Sequence, residues 1–264
     1  MYKTKKFRIR TVEELKRDID LAKEFYGRNV RTVFLADSDS IILKTSHLIS
    51  ILDYLRESFP KLERVTSYGR SKTIIKTKTV EDLKKLRKAG LKRLHVGLET
   101  GADWLLREIC KGATAEEMIE AGRMVKEAGM ELTEYVVLGL AGEGRGIKNA
   151  EETAKVLNAI NPDHVRLRTL ILTPGAPLFE MFQQGDFKLP SKIEILEETR
   201  KLIEKLEITS WLFSDHVSNY LPITGKLPEE KPDILEFLDT TIETLKMYPE
   251  LESKILTPEK LRHL

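Results

Sequence analysis

Polar residues gather at a few points in an otherwise regular chain. Asp37, Ser38, Asp39 and Ser40 follow the apolar run "RTVFLA", and Tyr68, Gly69 and Arg70 close the run "ERVTSY". Glu99, Thr100 and Gly101 end "LKRLHVGL", Gly139 opens "GLAGEG", and Arg166 and Arg168 lie in "DHVRLRTLIL". A carboxylate at the place of Glu99 accepts two hydrogen bonds, which suits the adjacent hydroxyls of a ribose. A glycine-rich turn at 139–146 lets backbone approach a ligand closely, and Arg168 suits a carboxylate or phosphate. Asp215 beside His216 reads either as a general acid–base pair or as a plain surface turn. Tyr68, Arg70, Arg168, His216 and Asn219 are the candidates for substrate contact. Any one of these strand ends also reads as an ordinary helix cap; taken together they point to a site.

The elements that would carry them alternate. A helix over 11–26 starts at the capping pair Thr11 and Glu14. Strands are predicted at 31–36, 63–68, 91–98, 131–140 and 163–172, and helices at 46–59, 80–90, 114–129 and 147–159. Thr79 caps the helix that Gly90 ends, and Thr114 with Glu117 starts the next, which Gly129 ends. Strand, helix, strand in this order forces parallel pairing with right-handed crossovers. The apolar strands suit a sheet covered by helices, and no GxGxxG follows the first of them. The expected fold is therefore α/β, a partial (β/α) TIM-type barrel of parallel strands with covering helices, over residues 1–178. Residues 179–264 form a C-terminal segment packed on it, with helices at 191–207 and 233–246 and one short strand between them. In such architectures ligands bind at the C-terminal ends of the strands, where the polar residues above stand.

Composition narrows the function. Against 44 basic residues stand 42 acidic ones, a formal charge of +2, so no bulk field draws nucleic acid or membrane. Lys3 to Arg10 reads as a solvated face. With no secretory pattern and no apolar run long enough to span a bilayer, the expected location is cytoplasmic. A charged fraction of 33% points to a heat-adapted source. The single cysteine, Cys110, excludes an internal disulfide and a cysteine-rich metal site. No zinc spacing occurs, and His95 reads as a core or helix-facing residue.

"FLADSDSIIL" resembles the second-strand segment of radical S-adenosylmethionine enzymes. There a Gly-Gly-Glu-Pro turn usually holds the methionyl amino group, and Asp37, Ser38, Asp39 and Ser40 stand at those places. "LHVGLETGADWLLREICKGATAEEMIEAGRMVKEAGMELTEYVVLGLAGEG" is similar to the middle of the same barrel, and "RLRTLILTPGAPL" to its sixth strand. The nearest branches in pattern are the oxygen-independent coproporphyrinogen oxidases and the methylthiotransferases, and the resemblance spans roughly residues 1–225. It implies S-adenosylmethionine and a [4Fe–4S] cluster as cofactors, ribose binding at Glu99, and Gly139 near the adenine. The family's C-x-x-x-C-x-x-C loop, whose three thiolates hold the cluster, has no counterpart here. The expectation is a truncated chain that lacks the first strand, cannot hold the cluster alone, and is inactive as a radical enzyme as written. Its bare neighbouring strand would leave a sheet edge open to a second copy. Two other readings stay open: a cluster-less binder of a nucleoside or partner, and a non-radical barrel enzyme working through strand-end carboxylates.

Overall fold

The computed structural model describes residues 8–36 and 39–254. In chain order the elements are α1 (Val12–Tyr26), β1 (Thr32–Leu35), α2 (Thr45–Ser58), β2 (Arg64–Gly69), α3 (Ser71–Thr77) and α4 (Val80–Ala89). Then come β3 (Leu91–Glu99), α5 (Asp103–Glu108), α6 (Ala115–Glu127), β4 (Glu131–Leu138), α7 (Gly146–Ile160) and β5 (His164–Thr169). The chain continues through α8 (Pro177–Gln184), α9 (Lys192–Lys205), β6 (Trp211–Phe213), β7 (Thr224–Lys226) and α10 (Lys231–Met247). The strands form one seven-stranded sheet in sequential order, β1 to β7. β1 with β2, β2 with β3, β4 with β5 and β5 with β6 run parallel, and the β6–β7 hairpin is antiparallel. This is the partial α/β barrel that the alternation predicts.

The predicted caps form. Thr11 and Glu14 exchange hydrogen bonds at the start of α1, and Thr79 and Asp82 do so at the start of α4. Gly90 ends α4 at φ 117°, a value that suits glycine. Three short helices, α3, α5 and α8, were not anticipated. Each has at most eight residues, too few for a periodic apolar stripe to show. Where one strand was expected between α9 and α10, the hairpin β6–β7 stands.

Compact units divide the chain. The first comprises Met1–Val96 and Arg123–Leu132, the second Gly97–Gly122 and Thr133–Leu264. In the first, Leu91, Leu94 and Val96 of β3 and Val65 of β2 are buried with Leu48, Ile51, Leu52 and Leu55 of α2 and Leu83 and Leu86 of α4. Alternate residues of β3, Arg93, His95, Gly97 and Glu99, are only half-buried, as a period of two requires. β1 lies at the sheet edge. Beside it runs a cavity of about 680 Å³, lined among others by Leu15 and Ile19 of α1, Val33 and Leu35 of β1, and Ile51 and Leu55 of α2.

In the second unit α9 packs on α7 and α10 on α9. Buried Ile195, Leu196, Leu202 and Ile203 of α9 share this core with Ala150, Ala154 and Leu157 of α7 and Leu238 and Ile242 of α10. α7 ends at Asn161, whose left-handed backbone (φ 49°) substitutes for a glycine. No helix of the described residues is long and apolar enough to cross a membrane.

Candidate functional site

The sequence candidates divide between the two units. In the second, β3 ends at Glu99 with φ 63°, in the left-handed region. A non-glycine residue held there carries strain of about 1–3 kcal/mol and is worth asking about. The twist folds the Glu99 carboxylate back over Gly97: a Cβ at position 97 would meet Glu99 Oε1 at 2.2 Å. Lys111, in the turn before α6, donates to the same oxygen at 3.0 Å. Both side chains are part-exposed, so the pair is a reachable charged couple at a strand end and not a core ion pair.

The residues after Glu99 are locked. Gly101 N–H donates to Thr153 Oγ1 (2.9 Å), and Ala102 N–H donates to Thr100 Oγ1 (2.9 Å). The Thr100 hydroxyl donates to Asn149 Oδ1. Asn149 Nδ2 in turn donates to Glu198 Oε1 (2.8 Å), whose other oxygen accepts the N–H of Gly139 (2.7 Å). Burial pushes the Glu198 carboxyl up to about 7, against the two donors that favour its charge.

The glycine turn after β4 is packed more tightly than its composition suggests. Its N–H groups are engaged: Gly139 by Glu198, Glu143 by the Lys188 carbonyl (3.0 Å), and Gly144 by Glu194 (2.8 Å). A Cβ at Gly139 would meet Ile195 at 3.2 Å, and one at Gly142 would meet Phe187 at 3.0 Å. The glycines therefore admit the 187–198 segment, where the sequence suggested a ligand. Gly139 itself is buried.

On β5, Arg168 lies 5.4 Å from the Tyr135 ring centre, and Arg166 grips Asp215 at 2.7 and 2.9 Å. That grip favours the surface turn over the acid–base pair, the two readings left open for Asp215 and His216. The Asp215 carboxyl is held below its usual range by Arg166, and His216 is turned to its own loop. Its Nδ1 accepts the Ser218 N–H (3.1 Å) and meets the Ser218 hydroxyl (2.8 Å). Burial, then Arg168, hold the ring below its ordinary pKa, so His216 is a neutral loop anchor. Asn219 is likewise occupied: it donates to the Leu167 carbonyl (2.9 Å) and accepts from Thr169 (3.1 Å).

In the first unit, Asp37 and Ser38 lie outside the described residues. Asp39 is 9% exposed, and its side chain makes no capping bond to the short turn that it precedes. Its carboxylate accepts the Arg70 N–H (3.1 Å) and the Thr73 hydroxyl at the start of α3. Burial raises its pKa in spite of these donors. Tyr68 stands on the less buried side of the sheet with its ring edge-on to Phe34 (4.7 Å) and near His95 (6.1 Å). His95 thus joins an aromatic cluster on the opposite side of β3 from Leu94 and Val96, and is not a helix-facing core residue.

Sequence reading missed Lys111, Glu134 and Glu198. Glu134 is 2% exposed, and its Oε2 has no hydrogen-bond partner among the described residues. Burial raises its carboxyl well above the ordinary range. Both glutamates carried a signal, since Glu134 shares the parity of the buried Leu132 and Val136. Glu198 sits three residues after Ile195 and four before Leu202, on the apolar stripe of α9.

A family profile described as the radical SAM superfamily matches residues 1–157. The chain belongs to this superfamily. Among curated relatives it is 24% identical over 154 residues to a tRNA uridine(34) acetyltransferase of Methanocaldococcus jannaschii, covering 54% of this chain and 26% of that protein. It is 21% identical over 180 residues to the heme chaperone HemW of Bacillus subtilis, covering 68% and 47%. With a biotin synthase of Caldicellulosiruptor bescii it shares 27% identity over 181 residues, covering 63% and 52%. The chain thus spans between about a quarter and half of the length of these relatives. Among solved structures, an N-terminally deleted Elp3 of Methanocaldococcus infernus superposes with a TM-score of 0.58 at 14% identity, over 87% of this chain and 59% of that one. Coproporphyrinogen III oxidase of Escherichia coli gives 0.58 at 19% identity, over 74% and 45%. Both show the fold alone.

The family implies S-adenosylmethionine and a [4Fe–4S] cluster. Three thiolates are needed to hold such a cluster, and this sequence has one cysteine, Cys110, exposed and at φ 53°. Among the described residues no group of three His, Cys, Asp or Glu is placed to hold a metal ion. The residues present do not fit the cluster.

Proposed function

We propose that these residues supply the nucleoside-binding part of a radical S-adenosylmethionine site, with Glu99 accepting the ribose hydroxyls. The thiolates for radical chemistry would come from outside these 264 residues. The observation that carries the reading is the left-handed backbone of Glu99, a strained carboxylate kept part-exposed at a strand end. A helix N-cap, which takes extended backbone, needs no such strain. Lys111 holds the carboxylate ready and would share it with a bound diol. Without chelation of the methionyl group by iron, binding is weak, at roughly high-micromolar to millimolar Kd, ~4–6 kcal/mol. The chain alone is expected to assemble no cluster and to cleave no S-adenosylmethionine.

The test is titration with S-adenosylhomocysteine and 5′-deoxyadenosine. Glu99→Ala is expected to weaken binding at least about tenfold, the loss of a charge-assisted bond pair. Glu99→Gly separates strain from function. It should raise unfolding stability by about 1 kcal/mol, since glycine accepts the left-handed backbone, while binding is lost. Unchanged affinity in Glu99→Ala refutes the assignment.

A partner is proposed for the open edge of β1, namely a second copy of this chain. Leu21, Phe25 and Tyr26 on α1 are 63%, 81% and 69% exposed, close in sequence to the residues lining the edge cavity. Light scattering at rising concentration should show dimers or larger species, reduced by Phe25→Glu. A monodisperse monomer throughout counts against it.

A further inference from the structure

The polar chain beneath the β3 and β4 turns is unusual in having a carboxylate but no cation. Thr100, Asn149, Thr153 and Glu198 are each at most 1% exposed. Through them the turn that follows Glu99 is tied to the first residue of the turn at Gly139. Gly101 N–H reaches Thr153 (2.9 Å), whose hydroxyl meets Asn149 Oδ1 at 3.4 Å. Thr100 reaches the same oxygen, and Asn149 and Gly139 converge on the two oxygens of Glu198. Neither turn is fixed by its own residues alone.

We propose that Glu198 is a positioning residue for the nucleoside site, holding the β3 and β4 turns in one arrangement only while its carboxylate is ionised. The ligand's identity rests on the function proposed above; the coupling of the two turns does not. An ionised carboxylate offers lone pairs to both donors at once. On protonation one oxygen carries a hydrogen. Gly139 N–H and Asn149 Nδ2 must then compete for the remaining acceptor, and rotation of the Asn149 amide to relieve this withdraws Oδ1 from Thr100. The loosening therefore passes from one turn to the other through a single amide group.

The charged groups around Glu198 are engaged elsewhere. On its own helix, Glu194 accepts from Ser191 and Gly144. Ahead of and within the first turn of α7, Arg145 pairs with Glu108 and lies over the Trp104 ring, as does Lys148. In the glycine turn, Glu143 lies 3.6 Å from Lys188. Only burial, Asn149 and Gly139 set where Glu198 titrates, and its pKa near neutrality makes both states accessible.

The test follows the Glu198 carboxyl carbon and the amides of Gly101 and Gly139 by NMR between about pH 5.5 and 8.5. All three signals should move with one midpoint. In Glu198→Gln the transition should vanish from both amides. In the double variant Thr100→Val, Thr153→Val, which removes both links from Asn149 to the β3 turn, it should persist at Gly139 and vanish at Gly101; this variant also serves if Glu198→Gln does not fold. In the same buffers, binding of 5′-deoxyadenosine should weaken about fivefold as pH falls through the midpoint, and become independent of pH in the glutamine variant. A purely structural glutamate would lower stability in the variant but leave no shared midpoint and no pH dependence of affinity. Amides that ignore the carboxyl's titration, or that keep their transition in Glu198→Gln, overturn the proposal. If 5′-deoxyadenosine binds at no pH, the nucleoside reading fails while the NMR midpoints still decide the coupling.

Discussion

Gly101→Ala is expected to cost about 3 kcal/mol or to prevent folding of the second unit, the upper range for inserting a methyl where nothing can yield. The added Cβ would stand 2.7 Å from Thr153 Cα and 2.8 Å from the Glu152 carbonyl oxygen, both backbone atoms of α7. A side chain can rotate away, but a helix backbone in a packed core cannot. Gly144→Ala is the control. Nothing lies within 4 Å of its Cβ, and only its left-handed φ of 73° opposes the change, worth about 1 kcal/mol. Urea unfolding followed by circular dichroism compares the two directly. Equal losses would mean that the close approach of the β3 turn to α7 is not a constraint in solution.

Stability should fall as pH rises from about 5 to 8, the reverse of the usual carboxylate trend. The Glu198 carboxyl is raised from its ordinary 4.5 to about 7, so the folded chain holds a proton that the unfolded chain has released. That contribution is full below the unfolded value and is lost as pH climbs to the folded one. The interval from 4.5 to about 7 corresponds to about 3 kcal/mol. Glu134 and Asp39 are raised by burial and act in the same direction. Asp215, Asp239 and Glu194 are lowered by Arg166, by Arg200 and by the Ser191 backbone respectively. Their contributions are present above the ordinary carboxylate range and lost as pH falls below it. The optimum therefore sits at roughly pH 5. Unfolding free energies at both ends of the range check this, and the double change Glu134→Gln, Glu198→Gln should flatten the slope. Stability that climbs steadily to pH 8 would show that these carboxyls are not buried as described.

The fold was legible because period and punctuation agreed. Thr79, Asp82 and Gly90 bound α4, and the alternation in β3 separated Leu94 and Val96 from His95 and Glu99. The site was legible only by halves. Glu99 stood out because nothing apolar explains a carboxylate there, and the structure adds the backbone strain that sequence cannot show. The partners of Asp39, the Arg70 backbone and the Thr73 hydroxyl, lie more than thirty residues on and left no local sign. His216 stayed open between two readings because adjacency in sequence is not contact: Arg166, 49 residues away, takes Asp215. The glycines at 139–144 read as a ligand cradle, yet they make room for Phe187 and Ile195, which lie beyond any local window.

The bonds that tie the two turns to α7 and to the segment around α9 are distant in sequence. Thr100 to Asn149 spans 49 residues, Gly144 to Glu194 spans 50, and Gly139 to Glu198 spans 59. Closing such loops has an entropic cost that local helices do not bear, and synthesis delivers the acceptor last. While the chain is being made, β3 and β4 emerge with bare turns, and these can settle only after α9 has followed them out. A nascent chain halted before Glu198 would hold its strands but not the final geometry of these turns. The order of assembly thus places completion of the two turns after the framework, so that a chain caught half-made carries a sheet whose proposed nucleoside-binding end is still unformed.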